Sequence, residues 1–330
     1  MAKAKKPGSG LLTRSRSITG KSALTKQKTL KPEHTRQIIR RFHVLQKSKH
    51  KILTKLGISP GFFGESYDKL KKDNLYQAEF KTFKVPAKYS DNEVYRIDNR
   101  LTKSDLIRIL AKIDSEIEQR GGIEVYQCAS TQGQTGKRGG DSSKKLIEWL
   151  RDENYKSRLS NVNALEIGCL SPHNVISTSG IFTSVCKIDL NSQDPAIEQQ
   201  DFMKRPLPTT ESEKFNLISC SLVINFVPSP KERGDMLVRI TEFLKSPKNE
   251  TLSSLFLVLP LPCVKNSRYF NGDRLHNIMS SLGFTQTFFY EAKKVAYWLF
   301  DWNGKVVEDV KFPKMELQSG SQRNNFCITL

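Results

Sequence analysis

The sequence has few cysteines and no long apolar run. Its six cysteines are spread over 330 residues, at positions 128, 169, 186, 220, 263 and 327, and no two form a CxxC pair. This spacing excludes a zinc ribbon and a dense disulfide framework, and it predicts a reduced intracellular protein. The longest apolar stretch, LFLVLPLPCV at 255–264, is interrupted by two prolines, and the first residues lack the apolar core of a signal peptide. We therefore expect neither secretion nor a membrane span.

Acidic residues are scarce near the amino terminus. Residues 1–50 carry 14 Lys and Arg but one acid, Glu33, so they supply +13 of the net charge of +19. The first 30 residues also have few large apolar side chains, which predicts a basic, partly disordered extension that orders when it binds a polyanion. Nucleic acid is the favoured partner, and a nuclear address or a solubilising arm is the alternative.

The chain is predicted to divide into three parts. Residues 1–56 form the basic tail and a helix, residues 57–122 a helical extension, and residues 123–330 the main domain. Within the extension, residues 57–97 show scattered aromatic residues without a sustained period. Thr102 and Asp105 then have the spacing of a capping box, and an apolar stripe at helical spacing follows them as far as the glycines at 121 and 122.

In the second half, apolar runs alternate with helical patterns, as expected for a mostly parallel sheet. The predicted strands are 163–168, 181–190, a short segment in EQQDFM, 215–224, 252–262, and a C-terminal antiparallel hairpin in TQTFFYEA and VAYWLFDWNGK. The run at 215–224 is continuously apolar, which is typical of a central strand. The segment SPKE at 229–232 predicts a capped helix start. The fold class is therefore α/β, a Rossmann-like seven-stranded sheet in the order of class I S-adenosylmethionine-dependent methyltransferases.

Acidic residues and a glycine stand at the predicted strand ends. Glu166 and Gly168 end the first strand, and Asp189 follows Gly168 by 21 residues at the end of the second, where an acid can hydrogen-bond a ribose diol. No GxGxxG motif is present, which argues against NAD and FAD. S-adenosylmethionine has no phosphate, so Glu166, Gly168, Asp189 and Asp201 together favour this cofactor. The alternative is that Gly168 is only a turn glycine and that Asp189 and Asp201 are solvated residues at strand ends.

Six segments carry a resemblance to a known family: YQCASTQGQ (126–134), LEIGCLS (165–171), SGIFTSVCKIDLNSQ (179–193), QQDFM (199–203), SLVINFVPSPKERGDML (221–237) and LPLPCVKNSRY (259–269). They resemble the fungal nucleolar 25S ribosomal RNA adenine-N1 methyltransferases over about residues 120–300. The resemblance implies that the protein forms 1-methyladenosine in large-subunit rRNA during ribosome biogenesis. It also implies that the protein is located in the nucleus, within the nucleolus. It also implies that Gly168, Gly180 and Asp189 belong to the cofactor site, with Asp201 and Phe202 near the adenine.

Polar and aromatic residues after the later strands are candidates for holding the target base. Asn225 and Phe226 follow the fourth strand, in the place where many nucleic-acid methyltransferases have a polar residue beside an aromatic one, and Phe226 could stack on the base. The alternative is that Asn225 caps the strand and Phe226 lies in the core. After the fifth strand, Asn266, Arg268 and Tyr269 are candidates for contacts with RNA phosphate or the base, or they belong to a solvated loop.

The segment 126–134 also holds polar candidates. Its glycine and glutamine content predicts a loop, from which Ser130, Gln132 and Gln134 could close over the methionine end of the cofactor.

Two other functions compete with this interpretation. A cytosine-C5 methyltransferase would need a cysteine nucleophile, for which Cys220 and Cys263 are the candidates, but Cys220 falls inside a predicted strand. A non-catalytic S-adenosylmethionine-binding regulator or ribosome-assembly factor would share the fold, because a fold with its cofactor does not guarantee catalysis. We expect a monomer that binds rRNA or preribosomal particles and needs neither a metal nor a membrane.

Overall fold

The architecture was read from a computed structural model. The residues that it describes are 32–58, 65–85, 95–133, 140–192, 194–247, 251–307 and 310–330. The predicted basic tail at residues 1–30 lies outside the described residues, as does Gln134. Among the described residues, no helix is long and apolar enough to cross a bilayer.

Five helices form a layer before the sheet. They are α1 (Pro32–Lys55), α2 (Glu65–Lys71), α3 (Asn74–Thr82), α4 (Lys103–Gln119) and α5 (Gly122–Gly133). The capping box of Thr102 and Asp105 is confirmed at the start of α4. The stretch at 57–97, which shows no sustained period but lies in the predicted helical extension, contains α2 and α3. One expectation needs correction: the predicted loop at 126–134 is helical as far as Gly133.

The helical layer has a core of its own and a buried ion pair. Leu45 and Ile52 of α1 pack with Leu110 of α4 in one apolar cluster. Beside it, the Arg41 guanidinium donates two hydrogen bonds of 2.7 Å to the Glu116 carboxylate, and both side chains are buried. Such a bidentate pair restrains the relative position of two helices, and the Arg120 guanidinium donates to the same carboxylate at 2.7 Å. The helix α1 is thereby fixed to α4.

The sheet has seven strands in the order β3-β2-β1-β4-β5-β7-β6. Its strands are β1 (Asn163–Ile167), β2 (Ser184–Asp189), β3 (Glu198–Gln199), β4 (Leu217–Ser221), β5 (Ser254–Pro260), β6 (Phe284–Glu291) and β7 (Val295–Trp302). Neighbouring strands from β3 to β5 are parallel, and β7 runs antiparallel between β5 and β6. This topology confirms the predicted Rossmann-like sheet with its C-terminal hairpin and the central position of β4.

Helices cover both faces of the sheet. They are α6 (Ser143–Leu150), α7 (Glu153–Lys156), α8 (Val175–Thr178), α9 (Pro230–Phe243), α10 (Leu261–Lys265) and α11 (Gly272–Ser281). One apolar cluster joins α9 and α11 to the sheet, and a second joins α6 to the opposite face. The predicted cap of α9 is confirmed, with Ser229 as N-cap, Pro230 at the first turn and Glu232 completing a capping box.

Three of the parallel strands are at least four residues shorter than predicted. The strand expected at 181–190 begins only at Ser184. The strand expected at 215–224 ends at Ser221, because Leu222 takes a left-handed backbone conformation with φ of 58° and turns the chain out of the sheet. The strand expected at 252–262 ends at Pro260, where α10 begins. Both early endings lie at the carboxyl edge, where parallel sheets of this kind bind ligands.

Candidate functional site

Gly168 and Asp189 lie side by side at the carboxyl edge of the sheet. Ile167 and Ile188 are paired across β1 and β2, and the next residues along the two strands are Gly168 and Asp189. The backbone N–H of Gly168 donates to the Ile188 carbonyl at 2.9 Å, which holds the two strand ends together. Backbone pairing therefore brings together the two residues on which the cofactor prediction depends.

Gly168 has both the conformation and the crowding that demand glycine. Its φ is +75°, and a Cβ built on it would lie 2.5 Å from Cγ2 of Val223. Left-handed backbone is unfavourable for residues with a Cβ, and Val223 is too short and stiff to move aside freely. Gly180 has the same φ of +75° but no atom within 4 Å of its would-be Cβ. Of these two glycines, Gly168 is the one at which close packing adds to the conformational requirement.

Asp189 is half-buried and hydrogen-bonded by two elements. Its Oδ1 accepts from the backbone N–H of Asn191 at 2.9 Å and lies 3.4 Å from Nε2 of Gln127. Gln127, in α5, also bonds the carbonyl and the side-chain amide of Asn191. Burial raises the pKa of the Asp189 carboxyl above its ordinary value, and the two hydrogen bonds oppose that rise. The α5 helix thus forms one wall beside Asp189, a role that the expectation of a loop missed.

Glu166 is buried on β1 with one oxygen unpaired. Its Oε1 accepts from Nδ2 of Asn174 at 2.7 Å, whereas its Oε2 is buried and has no hydrogen-bond partner. Burial raises the pKa of Glu166 from 4.5 to about 7. The side chain is therefore a buried acceptor that a cationic or hydrogen-bonding ligand group would stabilise.

Asp201 and Phe202 follow β3, the strand beside β2. The Asp201 carboxylate accepts from the backbone N–H of Met203 at 2.9 Å and caps a short 3-10 turn. Phe202 is buried and packs on Phe243 with ring centroids 5.1 Å apart. Its ring belongs to the core, so its position near the adenine, like that of Asp201, stays a prediction.

Asn225 and Phe226 lie together just beyond β4. They belong to a 3-10 turn at Ile224–Phe226, which the turn at Leu222 directs over the sheet edge. Oδ1 of Asn225 is buried without a hydrogen-bond partner, and the Phe226 side chain is 37% exposed. Phe226 is therefore not a core residue, and Asn225 makes no strand cap through Oδ1. An unpaired buried acceptor beside an exposed ring is suited to an aromatic base with an amino group.

A cluster of rings surrounds Phe226, and sequence reasoning missed it. The His43 imidazole of α1 stacks on Phe226, with 4.1 Å between ring centroids and 11° between planes. Phe42 of α1 stacks on Tyr126 of α5 at 4.3 Å, and Tyr126 meets His43 edge to face. The only available signals were the helical spacing of α1 and the tyrosine of the YQCASTQGQ segment, and neither specifies a contact.

The candidates after β5 contact the C-terminal segment. The Arg268 guanidinium donates to the Asn325 side chain at 2.5 Å and to the Gly320 carbonyl at 2.8 Å. The Asn266 amide donates to the Gln322 carbonyl at 3.2 Å, and the Tyr269 ring lies under the ammonium of Lys314. These contacts give the three side chains a structural role, and their contacts with RNA stay a prediction.

The two cysteines considered as nucleophiles are buried thiols. Cys220 is fully buried in β4, and burial raises its pKa to about 12. Burial also raises the pKa of Cys263 to about 12. Because the thiolate is the reacting form, these environments disfavour covalent catalysis by either residue. Within the described part of the chain, no group of three or more His, Cys, Asp or Glu side chains is arranged to hold a metal ion.

The strand-end residues fit the nucleoside half of S-adenosylmethionine. Asp189 provides a carboxylate acceptor for ribose hydroxyls, and Gly168 provides the left-handed turn that ends β1 beside it. The unpaired Oε2 of Glu166 and Oδ1 of Asn225 mark two further polar positions that no described group of the protein satisfies. These acceptor groups are therefore suited to bind an organic molecule through hydrogen bonds.

Comparison with known proteins gives matches over most of the chain. A family model described as "25S rRNA (adenine(2142)-N(1))-methyltransferase, Bmt2" matches residues 111–328. A 25S rRNA (adenine(2142)-N(1))-methyltransferase of Saccharomyces cerevisiae is 35% identical over 96% of this chain and 99% of its own length. A 25S rRNA adenine-N(1) methyltransferase of Schizosaccharomyces pombe is 42% identical over 69% of this chain and 84% of its own.

Similar solved structures are far more distant. The 16S rRNA methylase RmtB is 12% identical, covers 78% of this chain and 98% of its own, and has a TM-score of 0.37. NodS, an N-methyltransferase of Bradyrhizobium japonicum solved with S-adenosyl-L-homocysteine, is 12% identical over 49% of this chain and 98% of its own, with a TM-score of 0.31. The family assignment therefore rests on the sequence matches. The chain belongs to the family of 25S rRNA adenine-N1 methyltransferases.

Proposed function

We propose that this protein transfers a methyl group from S-adenosyl-L-methionine to N1 of an adenine in 25S rRNA. The observation that supports the proposal is that two groups of candidate residues lie at one edge of the sheet. We call them the donor half and the acceptor half of the site. Gly168 and Asp189 adjoin at the ends of β1 and β2, and the Asn225–Phe226 pair lies just beyond β4. Val223 connects the two, since it contacts the space above Gly168 and precedes Asn225 by two residues.

The protein's part in the reaction is to position the two reactants. The donor supplies an electrophilic methyl group on a sulfonium, and adenine N1 carries an in-plane lone pair, so no proton has to be removed before attack. Fixing two reactants in line can lower a barrier by roughly 7 to 11 kcal/mol. Asp189 and Gly168 would hold the nucleoside of the donor, with Gln127 fixing the Asp189 carboxylate.

The acceptor side has to receive an unpaired base. N1 lies on the Watson–Crick edge, so a paired adenine must first leave its helix, which costs a few kcal/mol. Asn225 Oδ1 would accept a hydrogen bond from the adenine amino group and so present N1, and the open part of the Phe226 ring would contact the base. This hydrogen bond would satisfy a buried acceptor that lacks a partner among the described residues.

Methyl transfer to unmodified rRNA tests the proposal. The purified protein would be incubated with a 25S transcript and methyl-labelled donor, and the digested RNA analysed for 1-methyladenosine. Reverse transcription would then stop at the modified adenine, and a transcript with guanosine at that position is the matched control. Donor binding without labelled 1-methyladenosine would contradict the proposal and favour a non-catalytic cofactor-binding regulator.

The basic tail is proposed to attract the RNA. Residues 1–30 contain eight Lys and Arg and no Asp or Glu. Deleting residues 2–30 should lower the affinity for RNA and reduce its salt dependence by about 0.7 in log–log slope for each phosphate that the tail neutralises. The affinity for the donor should not change. A full-length variant with the eight basic residues replaced by Gln should behave like the deletion, and an unchanged salt slope in both would contradict this role.

We further propose a monomer that acts on large-subunit rRNA or preribosomal particles in the nucleolus. The basic composition of residues 1–50 supports a nuclear address. Light scattering of the purified protein would test the oligomeric state, and a fluorescent fusion with and without residues 2–30 would test the localisation. A dimer in solution or a fusion excluded from the nucleus would contradict the respective statement.

A further inference from the structure

A histidine from outside the methyltransferase sheet lies against the candidate base-binding turn. His43, in the middle of α1, covers one face of the Phe226 ring in a nearly parallel stack. The edge-to-face contact of Tyr126 in α5 holds the imidazole from the side. The position of α1 is itself fixed by the buried pair of Arg41 and Glu116, and Arg41 lies two residues before His43. The helical layer thus contacts the turn through the stacked His43 ring and, edge to face, through Tyr126.

The imidazole contributes no hydrogen bond through Nε2 in this position. That nitrogen is buried and has no partner among the described residues. Burial, aided by the positive charge of Lys47, lowers the pKa of His43 to about 3, so the ring is neutral at physiological pH. A neutral aromatic ring that stacks and makes no hydrogen bond through Nε2 acts mainly through its face.

The Phe226 side of the turn that His43 covers is its less buried side. Elsewhere Val223 and Val227 pack on the core, and Arg233 donates to the Val227 carbonyl at 2.9 Å. The segment is a single 3-10 turn, closed by the hydrogen bonds from Phe226 N–H to the Val223 carbonyl at 2.8 Å and from Val227 N–H to the Ile224 carbonyl at 3.2 Å. Such a short turn opens readily unless side-chain packing holds it. Ile224 anchors one side in the core, whereas Phe226 is 37% exposed and packs on His43.

We propose that His43 is a positioning residue for the methyl transfer: its stack on Phe226 holds the turn Ile224–Phe226, and with it Asn225, in the place where the adenine is received. The helix α1 then helps to position the acceptor half of the site, in addition to following the proposed RNA-binding tail in the sequence. This inference rests on the proposed function for its kinetic consequences, and its structural consequence can be measured without methyl transfer.

Three variants separate stacking from other roles. His43→Ala removes the ring and should lower kcat about tenfold or more with unchanged donor affinity. His43→Phe keeps a stacking face and removes the unpaired nitrogen, so it should restore most of the activity. His50→Ala is the matched control on α1, because His50 Nε2 lies 3.7 Å from a carboxylate oxygen of Glu232 and does not contact the turn; its kcat should equal that of the wild type.

A double-mutant cycle tests whether His43 acts through Phe226. The exposed Phe226 can be replaced by Ala, and the double variant His43→Ala/Phe226→Ala should be little slower than Phe226→Ala alone. Additive losses would overturn the proposal. Wild-type or faster turnover in His43→Ala would also overturn it, the faster rate indicating that α1 blocks the site. A His43→Phe variant as slow as His43→Ala would place the role in the nitrogen and contradict positioning by stacking.

Hydrogen exchange provides the readout that is independent of catalysis. The amides of Phe226 and Val227 should exchange faster in His43→Ala than in the wild type and in His50→Ala, with protection in β4 and α4 unchanged. If wild-type protein makes no 1-methyladenosine, the proposed function fails while this exchange result still decides the structural claim. Unchanged exchange at both amides would refute the positioning role even in an active enzyme.

Discussion

The two halves of the site are built by different means. In the proposed donor half, Glu166 and Asp189 lie on β1 and β2, whose backbones are paired along their length, and Gly168 directly follows β1. In the acceptor half, Asn225 and Phe226 stand on a single 3-10 turn that is contacted by His43 from a distant part of the chain. The donor half is therefore positioned by the sheet itself, and the acceptor half by packing between separate layers.

The halves also differ in how well their polar groups are satisfied. The Asp189 carboxylate has a backbone donor and faces a side-chain amide, whereas Asn225 Oδ1 is buried without a partner among the described residues. A buried acceptor without a partner costs about 1 to 3 kcal/mol, so the acceptor half is at its most stable only when a ligand donates to it. A selectivity for a base with an amino group would follow from that unmet requirement.

The largest effect should come from a substitution at the junction of the halves. Gly168→Ala would force a Cβ into left-handed backbone and against Val223, so donor binding and the turn beyond β4 should both suffer. We expect kcat/KM to fall about 1000-fold or more. Gly57→Ala is the matched control, since Gly57 has a similar φ of +70° but open space around its would-be Cβ, and it should lose less than about tenfold. Equal losses would show that backbone conformation alone matters.

A substitution in the acceptor half should separate turnover from donor binding. Asn225→Ala removes the unpaired acceptor, and we expect kcat to fall about 100-fold, which corresponds to about 2.7 kcal/mol, while the calorimetric Kd for the donor stays the same. Asn225→Asp keeps an oxygen in that position and should be less impaired. A weaker donor affinity in Asn225→Ala would show that the two halves are not independent.

The contrast between the halves explains what the sequence could predict. The ends of β1 and β2 follow from local patterns, because an apolar run followed by Gly168 or Asp189 specifies a strand and its end. The parallel order of these strands then places the two residues together without further information. The candidates of the donor half could therefore be named before the fold was known, and the structure brings Gly168 and Asp189 together at the strand ends as expected.

The acceptor half was less accessible for physical reasons. The apolar run at 215–224 hides the turn at Leu222, since a left-handed leucine has no sequence signature. The glycine and glutamine content of residues 126–134 predicted a loop, but packing of α5 against α1 overrides that local preference. The stack of His43 on Phe226 joins residues 183 positions apart, and only the fold brings them together.

A moderate effect is expected from the donor half. Asp189→Ala removes the half-buried acceptor at the proposed ribose position, and we expect the donor Kd to rise about 10-fold to 100-fold with a smaller change in kcat at saturating donor. Asp194→Asn is the matched control, because Asp194 also caps a backbone N–H in the following loop. An unchanged Kd in Asp189→Ala would remove this residue from the donor half.

A last test, of stability and not of turnover, asks whether the donor half is held by its backbone pairing alone. Glu166 breaks the pattern, since its Oε2 is unpaired and burial raises its pKa to about 7. Between pH 4.5 and 7 the folded protein therefore retains a proton that the unfolded chain has lost. The contribution of this residue to stability must fall as the pH rises through that range, by up to about 3 kcal/mol.

Glu166→Gln should remove that fall, because the amide stays neutral at every pH. The free energy of unfolding of the variant, measured by urea denaturation, should gain on that of the wild type between about pH 4.5 and pH 8. Glu198→Gln, at an exposed position on β3, should show no such gain. A difference between wild type and Glu166→Gln that does not change with pH would mean that the Glu166 carboxylate is as favourable in the folded protein as in the unfolded chain. The two halves would then differ in the satisfaction of their polar groups as well as in how they are positioned.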